Sequence, residues 1–176
     1  EVPLRWSGQR YTVDPEALDA ALGSRTRLLV YASPSNPLGW VARAAEQDTL
    51  LEFCRRHGLW LLADEVYERL YFDGPVAPSI LRRCTRDDAV IVVQSFSKSY
   101  CMTGWRLGWL TARADLVEQA AQLNEFIVSH APSMVQRAGE TALRRGEAFV
   151  QSMREQVTRR VAACHRCLQS VRGVSV

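Results

Sequence analysis

In the first two thirds of the chain, short runs of consecutive apolar residues alternate with amphipathic stretches. The last third is amphipathic throughout. Arg27–Ser33 (RLLVYAS), Leu59–Ala63 (LWLLA) and Ala89–Val93 (AVIVV) are continuous apolar runs. A half-exposed strand would alternate apolar with polar. Continuous runs separated by helical patterns instead predict parallel strands covered on both faces. Arg106–Ala112 is a fourth strand candidate close behind the third. The helical stretches carry their own punctuation. Asp14-Pro15-Glu16 reads as a helix start, with Asp as N-cap and Pro at the first helical position, and Gly23 as the stop. A second helix is expected from about Glu46 to His57, with Leu50, Leu51, Phe53 and Cys54 on its buried side and Gly58 closing it. Asp115 is expected to cap a helix running to about Ser129, and another is expected over Ser133–Arg145. Val150, Met153, Val157, Val161, Cys164, Leu168 and Val171 then recur at steps of three and four, which predicts one long amphipathic helix. The fold class is α/β, a three-layer arrangement with a mostly parallel sheet and helices on both faces.

The two ends suggest an internal segment of a longer protein. Glu1-Val2-Pro3-Leu4 reads as the tail of a strand, and Arg172-Gly173-Val174-Ser175-Val176 as a helix stop followed by the beginning of one. No signal-peptide pattern is read at residue 1.

Composition narrows the function classes. The hydrophobic fraction of 47% and charged fraction of 23% are those of a soluble globular protein. The net charge of +3 is small, and the Arg pairs (Arg55-Arg56, Arg82-Arg83, Arg144-Arg145, Arg159-Arg160) fall in helix-like stretches, where they are expected to form solvated faces. No basic stripe interleaves with aromatics, so nucleic acid is not an expected partner. No apolar run approaches the roughly 18 residues that span a bilayer, so no membrane is expected. Five cysteines, odd in number and unevenly spaced, fit a reducing, cytoplasmic compartment better than a disulfide framework. Cys164-His165-Arg166-Cys167 lies inside the long helical pattern without a second ligand pair, so no metal site is expected there.

One lysine, Lys98, stands among 22 basic residues, the rest being arginine. A guanidinium stays protonated, whereas a lysine amine can be freed to attack a carbonyl. The lone lysine is therefore a Schiff-base candidate. It follows the third apolar run, within Ser95-Phe96-Ser97-Lys98. Ligands of parallel sheets bind beyond the carboxyl ends of the strands. Asn36 follows the first of these strands, Asp64 ends the second, and Ser95, Ser97 and Lys98 follow the third. Polar groups thus gather at one sheet edge.

Four motifs then carry a resemblance. Ser35-Asn36-Pro37-Leu38-Gly39 resembles the N-P-x-G turn of fold-type I pyridoxal 5'-phosphate (PLP) enzymes, and Ala63-Asp64-Glu65-Val66-Tyr67 resembles their D-E-x-Y element. Ser95–Lys98 resembles the S-x-S-K attachment site, and Met102–Gly108 the M-x-G-x-R-x-G that follows it. Their order and spacing are similar to the class I/II aminotransferase family. The match covers the central and later part of that family's large domain: residues 1–146 as PLP-binding domain, 147–176 as the long helix leading toward a small C-terminal domain.

The resemblance implies a role for each residue. Lys98 holds the cofactor and serves as general base, and Asp64 pairs with the pyridine nitrogen. Asn36 and Tyr67 donate to the 3-oxygen. Ser95 and Arg106, with Ser97 as a further candidate, hold the phosphate. Glu65 is expected to point away from Asp64, since strand neighbours alternate. Gly104 and Gly108 are expected to permit a tight backbone return, and Trp105 and Trp109 to pack. Leu38 replaces the usual Thr of the Asn-Pro turn. The implied activity is transamination between an amino acid and a 2-keto acid, in a homodimer. Two alternatives remain on the same scaffold: another PLP reaction, such as a carbon–sulfur β-lyase or ring-forming synthase, or an aminotransferase-like regulatory domain. The family's earlier phosphate loop, its ring-stacking aromatic and its substrate-carboxylate arginine are expected outside residues 1–176.

Overall fold

The computed structural model describes residues 1–174. Six strands and six helices follow in the order β1 Arg5–Trp6, β2 Tyr11–Thr12, α1 Pro15–Ala21, β3 Leu28–Ala32, α2 Ala44–His57, β4 Trp60–Asp64, β5 Val90–Ser95, α3 Phe96–Ser99, β6 Gly108–Thr111, α4 Ala114–Ile127, α5 Ser133–Arg145 and α6 Glu147–Gln169. Single 3-10 turns lie at Ile80–Arg82 and Thr103–Trp105. The main sheet has the order β3-β4-β5-β6, with β3, β4 and β5 parallel and β6 antiparallel to β5. A separate two-stranded ribbon pairs β1 with β2.

Register explains the core. Tyr31, Ala63 and Val92 are cross-strand partners, as are Leu29, Leu61 and Val90. These side chains share one face of the sheet and meet the buried side of α2, where Leu50, Leu51, Phe53 and Cys54 are all buried, as expected. Leu18 of α1 and Ile80 join the same cluster. On the other face the side chains of the central strands, Trp60, Leu62, Ile91 and Val93, are half-buried, and it is on the edge strand β3 that Leu28 and Val30 are 43% and 61% exposed.

Helix ends follow local chemistry. Asp14 caps α1 by accepting from the Glu16 amide at 3.0 Å, although the helix stops at Ala21, before Gly23. Gly58 closes α2 at φ 63°, in the left-handed region that glycine adopts without strain. That helix starts two residues before Glu46, whose carboxylate reaches back to the Arg43 amide at 3.0 Å and also binds Arg10. Asp115 does not cap α4. Arg113 holds that position, and Asp115 sits in the first turn, taking both arms of the Arg113 guanidinium.

Several other expectations are corrected. Residues 1–4 form no strand. Arg55 and Arg83 are not merely solvated: each makes a two-pronged pair, with Asp88 and Asp48 respectively. Of the strand expected at the end of the chain, Ser175 and Val176 lie outside the described residues. Cys164 and Cys167 lie exposed on α6, and all five cysteines are free. No helix among the described residues is long and apolar enough to cross a membrane.

Candidate active site

Three parallel strands end at the same edge, and each delivers a polar group there. β3 runs into the loop Ser33–Ala42, which is tied by its own hydrogen bonds. The Ser33 amide donates to the Asp64 carbonyl at 2.9 Å, and the Ala42 amide donates to Ser33 Oγ at 2.9 Å. Ser35 closes a tight ring with Gly39 and Trp40. Gly39 has φ 66°, so the turn needs glycine there. Leu38 is half exposed and supports little of this packing. Asn36 projects from the turn, and its Nδ2 donates to the Tyr67 hydroxyl at 3.3 Å.

β4 supplies two adjacent acids with different surroundings. Leu61, Ala63 and Glu65 are buried, whereas Trp60, Leu62 and Asp64 are half-buried, which is the expected alternation. Asp64 Oδ1 accepts from the Val66 amide at 3.1 Å. Glu65 is 1% exposed, and its Oε1 accepts from the Ile80 amide at 2.9 Å. Burial pushes the Glu65 carboxyl above the usual carboxylate range, against the opposing influence of Ser79 and the Ile80 amide. Its Oε2 has no partner among the described residues, and neither has the Tyr31 hydroxyl, whose pKa burial also raises. This buried acid was not among the sequence-derived site residues. The signal that could have found it is the continuation of the Leu61–Ala63 row.

β5 ends in Ser95, which caps α3. The Ser95 Oγ accepts from the Ser97 amide at 3.1 Å and donates to Ser97 Oγ at 2.9 Å. In this single turn Phe96 and Ser99 are buried, and the same i, i+3 spacing leaves Lys98 exposed on the other side. The Lys98 amine lies 5.3 Å from the centroid of the Tyr67 ring. The chain then returns along β6. Gly108 pairs with Ser95, and a Cβ on Gly108 would stand 2.6 Å from the Gln94 carbonyl, so glycine is required by close approach. Gly104 has open space around its Cβ position. The left-handed residues of the return are Cys101 and Arg106, not that glycine. Arg106 thus comes back toward the Ser95 end, where its Nη1 donates to the Thr103 carbonyl at 3.0 Å. Thr103 Oγ1 in turn donates to the Ser97 carbonyl, a brace that the motif reading did not include. Trp109 packs edge-on against Phe96, but Trp105 is 48% exposed rather than packed.

The structure therefore brings Asn36, Tyr67 and Lys98 together and sets Ser95 beside Ser97, with Asp64 one strand away and Arg106 on the adjoining return. The donor chemistry suits PLP. An amine is available for an aldehyde, a carboxylate for a protonated ring nitrogen, two neutral donors for a phenolic oxygen, and hydroxyls with a guanidinium for a phosphate.

The family model for aminotransferase class I and II matches residues 1–176, so the chain belongs to that family. It is 36% identical over 174 residues to arginine–pyruvate transaminase AruH of Pseudomonas aeruginosa, covering 98% of this chain and 44% of that protein. It is 33% identical over 171 residues to an aspartate aminotransferase of Streptomyces avermitilis, covering 93% and 40%. Among solved structures, N-succinyldiaminopimelate aminotransferase from Mycobacterium tuberculosis superposes with a TM-score of 0.87 at 29% identity, covering 95% of this chain and 44% of that one. The chain spans less than half the length of these relatives.

Proposed function

We propose that these residues form the catalytic heart of a PLP-dependent aminotransferase acting on an amino acid and a 2-keto acid. The observation that carries the reading is the single side-chain amine of the chain, exposed at the carboxyl edge of the sheet and 5.3 Å from the Tyr67 ring. When bound, PLP supplies an aldehyde that holds the substrate's amino group and a ring that accepts electrons. The protein's residues divide the remaining work. Lys98 Nζ would hold the aldehyde carbon and, once released, would act as the base that moves a proton between the substrate α-carbon and the cofactor's former carbonyl carbon. Asp64 keeps the ring nitrogen protonated. Asn36 Nδ2 and the Tyr67 hydroxyl orient the ring through its oxygen, and Ser95, Ser97 and Arg106 bind the phosphate. Residues 1–146 would belong to the PLP-binding domain and residues 147–176 would lead into a second one. A homodimer in the cytoplasm completes the proposal, the free thiols suiting a reducing compartment.

The test is covalent trapping in the full-length protein. Borohydride reduction with PLP should fix the cofactor on one peptide, the one containing Lys98. Lys98→Ala should lose both the label and all turnover. Label on another residue, or turnover in Lys98→Ala, would remove Lys98 from the mechanism. Product analysis separates reactions on the same scaffold: transamination leaves a keto acid and the aminated cofactor, elimination leaves ammonia.

A further inference from the structure

Tyr67 sits on a long connection. Residues 65–79 run from β4 to the 3-10 turn at Ile80 with turns and bends but no strand or helix. Connections of this length are uncommon in compact domains unless something fixes them. One end is fixed by the buried Glu65, which accepts from the Ile80 amide, and by the Ala77 amide donating to the Glu68 carbonyl at 2.9 Å. The middle is fixed from far along the chain. Arg154, on α6, donates through Nη2 to the carbonyls of Tyr71, at 2.7 Å, and Gly74. Glu147, at the start of the same helix, takes both its contacts from Arg69 Nη2 at 2.6 Å. Arg69 is two residues from Tyr67. The Arg69 and Arg154 Nε atoms are both buried, so these side chains lie against the loop and do not wave in solvent. Apart from Val150, no residue of α6 is fully buried, so these polar contacts are a large part of what joins the helix to the loop.

We propose that Arg154, assisted by the Glu147–Arg69 pair, is a positioning residue that holds the Tyr67 hydroxyl against Asn36 from outside the active site. The inference rests on the reading that Asn36 and Tyr67 donate to the cofactor's ring oxygen. The physical reason is the arrangement of restraints. Backbone carbonyls of a loop have no intrinsic partner, and a guanidinium that bridges two of them removes a degree of freedom that the loop's own turns leave open. Tyr67 lies between the Glu65 anchor and the Arg154 clasp, so loosening either lets the hydroxyl drift from Asn36. Local turns hold the backbone beside Tyr67, the Glu68 amide donating to the Glu65 carbonyl at 2.9 Å and the Leu70 amide to the Tyr67 carbonyl at 2.8 Å, and from Tyr71 onward the restraint comes from Arg154.

The experiment reads the visible absorbance band of PLP bound to the full-length protein, with cofactor affinity as a second readout. Tyr67→Phe should shift the band, because one donor to the ring oxygen is gone. Arg154→Ala should shift it in the same direction and weaken cofactor binding by roughly tenfold, the scale of one hydrogen bond to a charged or anionic group. The double variant Arg154→Ala/Tyr67→Phe should show no shift beyond Tyr67→Phe alone. Arg154→Lys, which keeps a cation able to reach a carbonyl, should recover part of the effect. Glu147→Ala touches an exposed side chain with little risk to folding, and should produce a smaller shift of the same sign. A normal band in Arg154→Ala and Glu147→Ala, with Tyr67→Phe shifted, overturns the clasp and leaves the Tyr67 role standing. Additive shifts in the double variant also overturn it, since Arg154 would then act elsewhere. An unshifted Tyr67→Phe overturns the Tyr67 reading and the clasp with it.

Discussion

In α2, Leu50, Leu51, Phe53 and Cys54 are buried against the sheet, whereas no residue of α4 is buried and Leu123, Phe126 and Ile127 are 60%, 89% and 68% exposed. Both helices are 14 residues long and both are amphipathic in sequence. The contrast extends to their neighbourhoods. The sheet face under α2 is filled by cross-strand rows from β3, β4 and β5, while α5 and α6 bury only Val135, Gly139 and Val150. Amphipathic spacing states that a helix has a face to cover, and says nothing of what covers it. The site belongs to the first region. Asn36, Asp64, Ser95 and Lys98 stand at the ends of strands whose opposite faces are already locked by α2. The second region supports the site too: Phe96 and Leu107 lie against Gly139 of α5, and the Tyr67 loop is held by Arg154 of α6.

The largest effect expected within this contrast is chemical. Asp64→Asn retains shape and removes charge, and should lower activity of the full-length protein roughly a hundred- to thousandfold, the scale of a lost electrostatic contact in a reaction centre. Glu65→Gln, one residue on but in the buried row, keeps an Oε1 that can accept from the Ile80 amide, and should leave activity near normal. Measured turnover with the order reversed would assign the ring nitrogen to Glu65 instead of Asp64.

A second effect concerns packing. Leu61→Ala removes a fully buried side chain and should cost about 2–5 kcal/mol in urea unfolding. Phe126→Ala in the same 176-residue chain should change stability by no more than about 0.5 kcal/mol, as for other exposed positions. A comparable loss at both sites would erase the distinction between the two regions.

The smallest effect is one of pH. Burial raises the folded-state pKa of Glu65 above its unfolded value, so the folded chain binds that proton more tightly. Stability from this group is present below the ordinary carboxyl value of about 4.3 and is lost as pH rises through the raised one. Glu65→Gln has no such proton. Its denaturation midpoint should therefore fall less than that of the unaltered chain as pH rises from the ordinary carboxyl range. Parallel pH profiles would mean that Glu65 is ionised in the folded protein.

Local signals in the sequence carried most of this architecture, and their reach explains what they missed. The bounds of α5, the closing of α2 at Gly58 and the polar ends of three strands were legible because each is written within a few residues. The antiparallel direction of β6 was not, since an apolar run has no arrow until its partner is known. Asp115 looked like a cap because Asp suits caps, yet Arg113 outside the helix holds it in the first turn. Alternation separated Asp64 from Glu65, but the Ile80 amide that holds Glu65 lies 15 positions downstream. The contact of Arg154 with Gly74 spans 80 positions, and no periodicity predicts it. Motif order, by contrast, could point to Asn36, Tyr67, Lys98 and Arg106 because the turn chemistry around each is local.

The lone lysine has a practical corollary. A protease that cleaves only after lysine has one cutting point in these 176 residues, and that point is the proposed attachment site. Cleavage would part residues 1–98 from residues 99–176, separating the three parallel strands from β6 and the C-terminal helices. An amine capped by the cofactor and made permanent by borohydride reduction is no longer recognised as lysine. Loading could thus be counted on a gel, as the fraction of this segment that refuses to be cut, with no spectrum and no substrate.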